Sequence, residues 1–218
     1  MTQKEKIIKN AEVFVKGRLA AEATGHDWWH IQRVRNNARL LCISERADRF
    51  LVDIAVLLHD VGDRKVIKQA EDDYSIAKDF LKTQNMPTED IDTVLFIIQN
   101  MSFSKSLNAK KKSASTEFYV VQDADRLDAL GAIGIARVFA YGGSRSRPLY
   151  DPTKRAQSIH TTAQYRKEQS SSFHHFEEKI LLLKDLMNTK TGKQIAIGRH
   201  KYVKAYIKEF LAEWEGTR

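Results

Sequence analysis

Apolar residues recur three and four apart through most of this chain, and alternating runs bounded by turn residues are scarce, so the pattern predicts helices rather than strands. The first predicted helix covers Lys4 to Glu22, with Ile7, Val13, Phe14 and Leu19 as apolar positions, and Gly25 breaks the run before a second helix over Asp27 to Ser44. A third begins near Ala47 and carries Phe50, Leu51, Val52, Ile54, Ala55, Val56, Leu57 and Leu58 before ending at Gly62. A helix apolar nearly all round belongs at the centre of a bundle. Shorter helices are expected over Asp72 to Thr83 and Asp90 to Asn100, the latter after the start signal Pro87-Thr88. A long one follows over Thr116 to Tyr141, stopped by Gly142 and Gly143, with three more near Thr153 to Lys167, Ser172 to Met187 and Ile195 to Trp214. Between them, Ser102 to Ser115 (Lys105, Lys110, Lys111, Lys112) and Ser144 to Pro152 (Arg145, Arg147) read as basic loops. With 3 Pro and 10 Gly in 218 residues there is no evident linker, so residues 1–218 are read as a single all-α domain, a helical bundle.

Composition narrows the class. At 42% apolar and 29% charged the chain can bury a sizeable core, which excludes global disorder. Its single cysteine, Cys42, excludes a disulfide scaffold, suits a reducing compartment and reads as a small core residue. The first ten residues lack the apolar stretch of a secretory signal. The longest apolar run, Phe50 to Leu58, is interrupted by Asp53 and falls far short of the ~20 residues that span a bilayer. A cytoplasmic protein with no membrane partner is therefore expected. The charge, 36 − 28 = +8, favours phosphates, nucleotides or nucleic acid as partners without specifying any chemistry.

The sharpest anomaly is His59-Asp60, two ionisable residues at the end of the most apolar helix. Buried charges are normally paired, neutralised or bound to a metal, so this pair needs partners; capping of the helix end toward solvent is the plain alternative. Partners are available in His30, on the preceding helix, and in Asp123, Asp125 and Asp128, inside the long apolar helix. Helical spacing groups Asp125 with Val121 and Asp128, and Asp123 with Tyr119, Leu127 and Leu130. Both faces look buried, so spacing does not choose between Asp123 and Asp125. His26 and His30 stand four apart, as in a His-Glu-x-x-His zinc helix, but Asp27 replaces the glutamate and shortens its reach, which disfavours a peptidase. Trp28 and Trp29 read as core or pocket wall, and His174 and His175 as scaffold or surface.

This constellation resembles the HD-domain superfamily of metal-dependent phosphohydrolases. His30 in His30-Ile31-Gln32-Arg33-Val34 matches the first histidine, His59-Asp60 the signature pair, and Asp125 in Ala124-Asp125-Arg126-Leu127 the last aspartate. The match covers residues 26 to 140. The helical tail, about 153–215, with His174-His175-Phe176-Glu177 and Arg199-His200-Lys201, resembles a small bacterial subgroup that includes nucleotide pyrophosphohydrolases.

The resemblance implies one divalent ion held by His30, His59, Asp60 and Asp125, with Mn²⁺ placed ahead of Fe²⁺, Co²⁺, Ni²⁺, Zn²⁺ and Mg²⁺. A mixed nitrogen and oxygen set suits such ions, and the two carboxylates cancel the charge of the ion. It further implies Asp63 as the group that orients or deprotonates water, against a plain reading as a turn residue pairing with Arg64 or Lys65. Arg64 and Lys65 become phosphate contacts, or simply basic residues at a helix end. His26, Lys110, Lys111 and Arg145 are the candidate substrate contacts. Relatives often carry a histidine where Gln99 and Asn100 stand here, which favours one ion over two. The expected activity is hydrolysis of a phosphate ester or anhydride, first a nucleoside triphosphate with release of pyrophosphate. The alternatives are a nucleoside monophosphatase or phosphodiesterase, and a nucleotide- or RNA-sensing module that keeps the metal site. A small phosphorylated partner is favoured over nucleic acid.

Overall fold

The computed structural model describes residues 1–19, 25–67, 71, 73–106, 114–158, 161, 163–164 and 170–218, without the side chains of Arg64 and Lys65. The chain runs through α1 (Gln3–Leu19), α2 (Trp28–Glu45), α3 (Arg49–Leu58), α4 (Arg64–Ile67), α5 (Ser75–Thr83) and α6 (Thr88–Asn100). It continues through α7 (Phe103–Ser106), α8 (Thr116–Asp128), α9 (Gly131–Ser144), α10 (His175–Glu178), a 3₁₀ segment (Ile180–Leu186) and α11 (Lys190–Trp214). The fold is all-α, and no strand occurs among the described residues. None of its described helices is long and apolar enough to cross a membrane.

The apolar pattern of α3 puts it at the centre, against α1, α2, α6 and α8. Val52, Ile54, Val56, Leu57 and Leu58 are withdrawn from solvent, each such side chain contributing roughly 1.5–3 kcal/mol of transfer free energy. Asp48 caps the helix, accepting from the amides of Phe50 at 2.7 Å and Leu51 at 3.2 Å. Asp53, the one charge inside the apolar run Phe50–Leu58 of α3, is buried and accepts from Arg35 Nε of α2 at 2.9 Å, while Arg35 Nη1 also donates to Glu12 of α1. That interruption of the apolar run thus ties three helices together.

Several boundaries differ from those the pattern predicts. The central helix ends at Leu58 rather than Gly62, and residues 59–62 turn, with the amides of Val61 and Asp63 donating to the carbonyls of Leu58 and Asp60. The long helix over Thr116 to Tyr141 is two helices: α8 stops at Asp128, and α9 restarts at Gly131, whose φ of +75° favours glycine. At Gly134 a Cβ would come within 2.2 Å of the Ala129 carbonyl oxygen, so α9 lies closer to the turn after α8 than a side chain permits. Two glycines that pass as tolerated interruptions of a helix mark a sharp bend.

No helix begins at Thr153. Asp151 accepts from the Thr153 amide at 3.1 Å and hydroxyl at 2.6 Å, a local turn that competes with a helix start, and residues 153–158 are irregular. Residues 163–164 are helical, and the remainder of that predicted helix lies outside the described residues. The expected helix over Ser172 to Met187 is instead α10 followed by the 3₁₀ segment, where Ile180 and Leu183, three apart, share its buried face. α11 starts before Ile195 because Thr189 Oγ1 caps it, accepting from the Gly192 amide at 3.0 Å. The basic stretch after Ser102 includes α7 with Phe103 buried, and residues 107–113 lie outside the described residues. Trp28 is partly buried beneath Lys16, whereas Trp29 is 67% exposed and walls nothing.

Candidate metal centre

Three helix ends converge beside α3. Asp27 caps α2 by accepting from the His30 amide at 2.7 Å, which fixes His30 in the first turn of that helix. His59 and Asp60 follow directly on α3, and Asp125 lies in the last turn of α8. His30 Nε2 and His59 Nε2 face each other at 3.3 Å. Asp60 Oδ2 lies 3.5 and 3.4 Å from those two nitrogens, and Asp125 Oδ1 3.5 and 3.9 Å from them.

The outer nitrogens show what this cluster lacks. His59 Nδ1 donates to the Val56 carbonyl at 2.7 Å, and His30 Nδ1 donates to Asp128 Oδ2 at 2.7 Å. Neutral imidazoles so bonded turn bare Nε2 lone pairs toward two carboxylate oxygens, leaving four acceptors with no donor among them. A cation satisfies that arrangement. Separations of 3.3–3.9 Å fit donors sharing one ion at about 2.1 Å, and the nitrogen and oxygen mixture suits a divalent first-row metal. The chemistry of this donor set therefore fits the ion that HD proteins carry.

Protonation follows the same logic. Burial pushes His30 down to about 4, with Arg137 acting in the same direction against the pull of Asp128, Asp60 and Asp125. Burial also disfavours a charged His59, but Asp60 and Asp125 outweigh it and raise its pKa. For Asp60, burial acts upward and is overcome by His26, His59 and His30, which hold the carboxyl well below the usual range. His26 Nδ1 lies 2.9 Å from Asp60 Oδ2.

Asp128 supports the centre from behind. It accepts from His30 Nδ1, from Arg33 Nε at 2.8 Å and from Arg137 Nη1 at 3.0 Å. Burial acts upward on its carboxyl, but His30, Arg33 and Arg137 prevail and keep it ionised. The bend at Gly131 returns α9 so that Arg137 reaches this carboxylate. Asp123, the rival of Asp125, points elsewhere. Its oxygens accept from the amides of Asn188 (3.0 Å) and Thr189 (2.7 Å), and from the Asn188 side chain and Thr189 hydroxyl.

Asp125 is one-third exposed and opens onto a cleft of about 210 Å³. His26, Asp60 and Asp63 stand at the metal end; Arg126, Arg137, Arg147 and Lys179 supply positive charge; Met101, Phe103, Val138 and Leu183 are among its apolar lining. Asp63 precedes α4, and its carbonyl accepts from the amides of Val66 and Ile67. Arg64 and Lys65 open α4, while Lys110 and Lys111 lie outside the described residues. Arg145 is exposed and stands over the Tyr141 ring at 5.6 Å, not in the cleft lining; Arg147, two residues on, lines it. His174 is buried beside Ser171, but His175 lines the cleft rather than serving only as scaffold. Sequence reasoning missed Arg126, Arg137 and Lys179, since basic residues on helices ordinarily face water. For Asp128 there was a signal: an aspartate one turn beyond Asp125 on the same apolar face.

Comparison with known proteins places these features in a lineage. Residues 28–130 match the family described as HD domain. Bacillus subtilis YpgQ is 36% identical over 214 residues, covering 97% of each chain. Its crystal structure in complex with ADP superposes with a TM-score of 0.76 and 35% identity, covering 97% of this chain and 96% of that one. An HD-superfamily hydrolase from Bacillus thuringiensis shares 43% identity at a TM-score of 0.73, covering 98% and 99%. A Lactobacillus plantarum protein of known structure reaches a TM-score of 0.87 at 38% identity, covering 99% of both.

Proposed function

The chain belongs to the HD-domain superfamily of metal-dependent phosphohydrolases, and from that premise we propose that it hydrolyses a nucleoside triphosphate with release of pyrophosphate. The observation that carries this reading is the opening of the four-acceptor cluster, through Asp125, onto a cleft lined by both basic and apolar side chains. Phosphates match the first, and a base and sugar match the second. The ADP bound by YpgQ supports a nucleotide.

In this reading His30, His59, Asp60 and Asp125 hold the ion, with Mn²⁺ the first choice. A divalent ion there supplies Lewis-acid polarisation of a phosphoryl oxygen and acidifies water. Asp63 orients the attacking water and accepts one of its protons on its carboxylate. Attack on the α-phosphorus forms a new P–O bond and breaks the bond to the oxygen bridging to the β-phosphate, and pyrophosphate leaves. Arg64 and Lys65, beside Asp63, and Arg147 neutralise charge on the phosphate oxygens, while His26 orients Asp60.

The test is to incubate metal-stripped protein with nucleoside mono-, di- and triphosphates, with and without Mn²⁺, resolving nucleoside, phosphate and pyrophosphate. Mn²⁺-dependent pyrophosphate is the expected product. Nucleoside plus phosphate would replace the reading with a monophosphatase, and nucleotide binding without product would replace it with a sensing module.

A further inference from the structure

Arg126 carries a buried positive charge that no carboxylate among the described residues bonds directly. It is only 6% exposed and lines the cleft one residue beyond Asp125. Nη1 donates to the Leu186 carbonyl, while Nε is buried without a partner. Among the described residues Arg126 forms no ion pair. Asp123 is occupied by Asn188 and Thr189, and Asp125 faces the two imidazoles. Arg35, equally buried at 5% exposure, shows the usual resolution, bonded to both Asp53 and Glu12. Burying a guanidinium whose Nε has no acceptor and which no carboxylate bonds directly is costly, even with Asp123 and Asp125 close enough to act on its charge. A group kept in that state on a cleft wall is suited to a ligand that brings the missing acceptor.

We propose that Arg126 anchors a buried anion subsite beside the metal centre, taking the phosphate group next to the reacting one, so that the cleft prefers phosphoanhydrides to phosphomonoesters. The subsite rests on the reading that the Asp125 end of the cleft is where phosphorus reacts. Asp125 and Arg126 both line this cleft, and the Asp125 charge acts on Arg126, which puts the anchor within reach of a phosphate neighbouring the reacting one. The planar fork of a guanidinium matches two oxygens of a phosphate, which an ammonium does not.

The experiment is calorimetric titration of inorganic pyrophosphate and inorganic phosphate into Mn²⁺-loaded wild type, Arg126→Gln and Arg126→Met, with bound Mn²⁺ and melting temperature recorded for each. Wild type is expected to bind pyrophosphate more tightly than phosphate. Both variants should lose at least tenfold in pyrophosphate affinity while phosphate affinity and Mn²⁺ content stay within twofold. Because the substitution removes a buried charge that no carboxylate bonds directly, the ligand-free melting temperature should hold or rise, and the stabilisation by pyrophosphate should shrink. Arg126→Met puts an unbranched apolar side chain in the buried position if the glutamine variant does not fold. Unchanged pyrophosphate affinity, equal weakening of both anions, or a large loss of ligand-free stability in both variants would overturn the proposal. Turnover is assayed separately. Wild type silent on nucleotides but binding pyrophosphate through Arg126 removes the hydrolase reading and keeps the anchor, whereas turnover with Arg126-independent binding does the reverse.

Discussion

Arg35, Asp53 and Glu12 meet where α1, α2 and α3 pack together; His30, His59, Asp60 and Asp125 meet where the ends of α2, α3 and α8 converge. Both are clusters of ionisable groups in one bundle, yet they are composed differently. In the first, guanidinium groups face carboxylates, with Arg39 and Arg49 also within 4.0 Å of Asp53, so that opposite charges answer one another even though Arg39 Nε makes no hydrogen bond. In the second, acceptors face acceptors, and the hydrogen bonds of both histidines run outward to Asp128 and Val56. A buried polar group whose opposite charges meet holds the fold together; one with a surplus of acceptors specifies a cation the chain does not encode.

The largest effect that would break this contrast is His59→Ala. Mn²⁺ binding should fall sharply and hydrolysis to background, while helicity is kept; metal analysis and circular dichroism check both, and full retention of metal and activity would refute the assignment. Asp53→Ala is the mirror case. It leaves Arg35 with Glu12 alone and should cost roughly 1.5–3 kcal/mol of unfolding free energy without loss of Mn²⁺ content, read by denaturant titration. Asp128→Asn should sharpen the comparison, weakening Mn²⁺ affinity about 10–100-fold by loosening the orientation of His30. The smallest effect is in pH. A His30 pKa depressed from 6.5 to about 4 means that the unfolded chain binds more protons in that window, so the stability of the metal-free protein is lost as pH falls through it. His59, raised, contributes the opposite slope, so the net change is modest. Metal-free His30→Gln should therefore lose less melting temperature than wild type between pH 6.5 and 4.

The donor set was legible because its residue types are out of place in apolar helices: His59-Asp60 closes the run from Phe50 to Leu58, and His30 opens the helix before it. The choice between Asp123 and Asp125 was not, since both faces of α8 are apolar and the partner of Asp123 lies 65 residues away at Asn188. The bend between α8 and α9 was hidden because Gly131 and Gly134 sit in an unbroken apolar pattern, and only the backbone angle and the Ala129 contact reveal it. The basic lining was hidden for a related reason: Arg126 and Arg137 show helical spacing, not burial. Arg145 attracted attention because its loop is visibly basic, although the side chain in the cleft is that of Arg147.

The bonds to Asp123 have a consequence for where this protein can be cut. The family match ends at residue 130, and a fragment over 28–130 would retain His30, His59, Asp60 and Asp125, the four side chains of the acceptor cluster. It would also retain Asp123, fully buried, without the Asn188 and Thr189 donors, and the Leu127 carbonyl without Arg199 Nη1, which lies 2.6 Å from it. The segment that evolution repeats is thus smaller than the segment that stands alone, and a shortened or grafted version of this fold has to carry α11 with it.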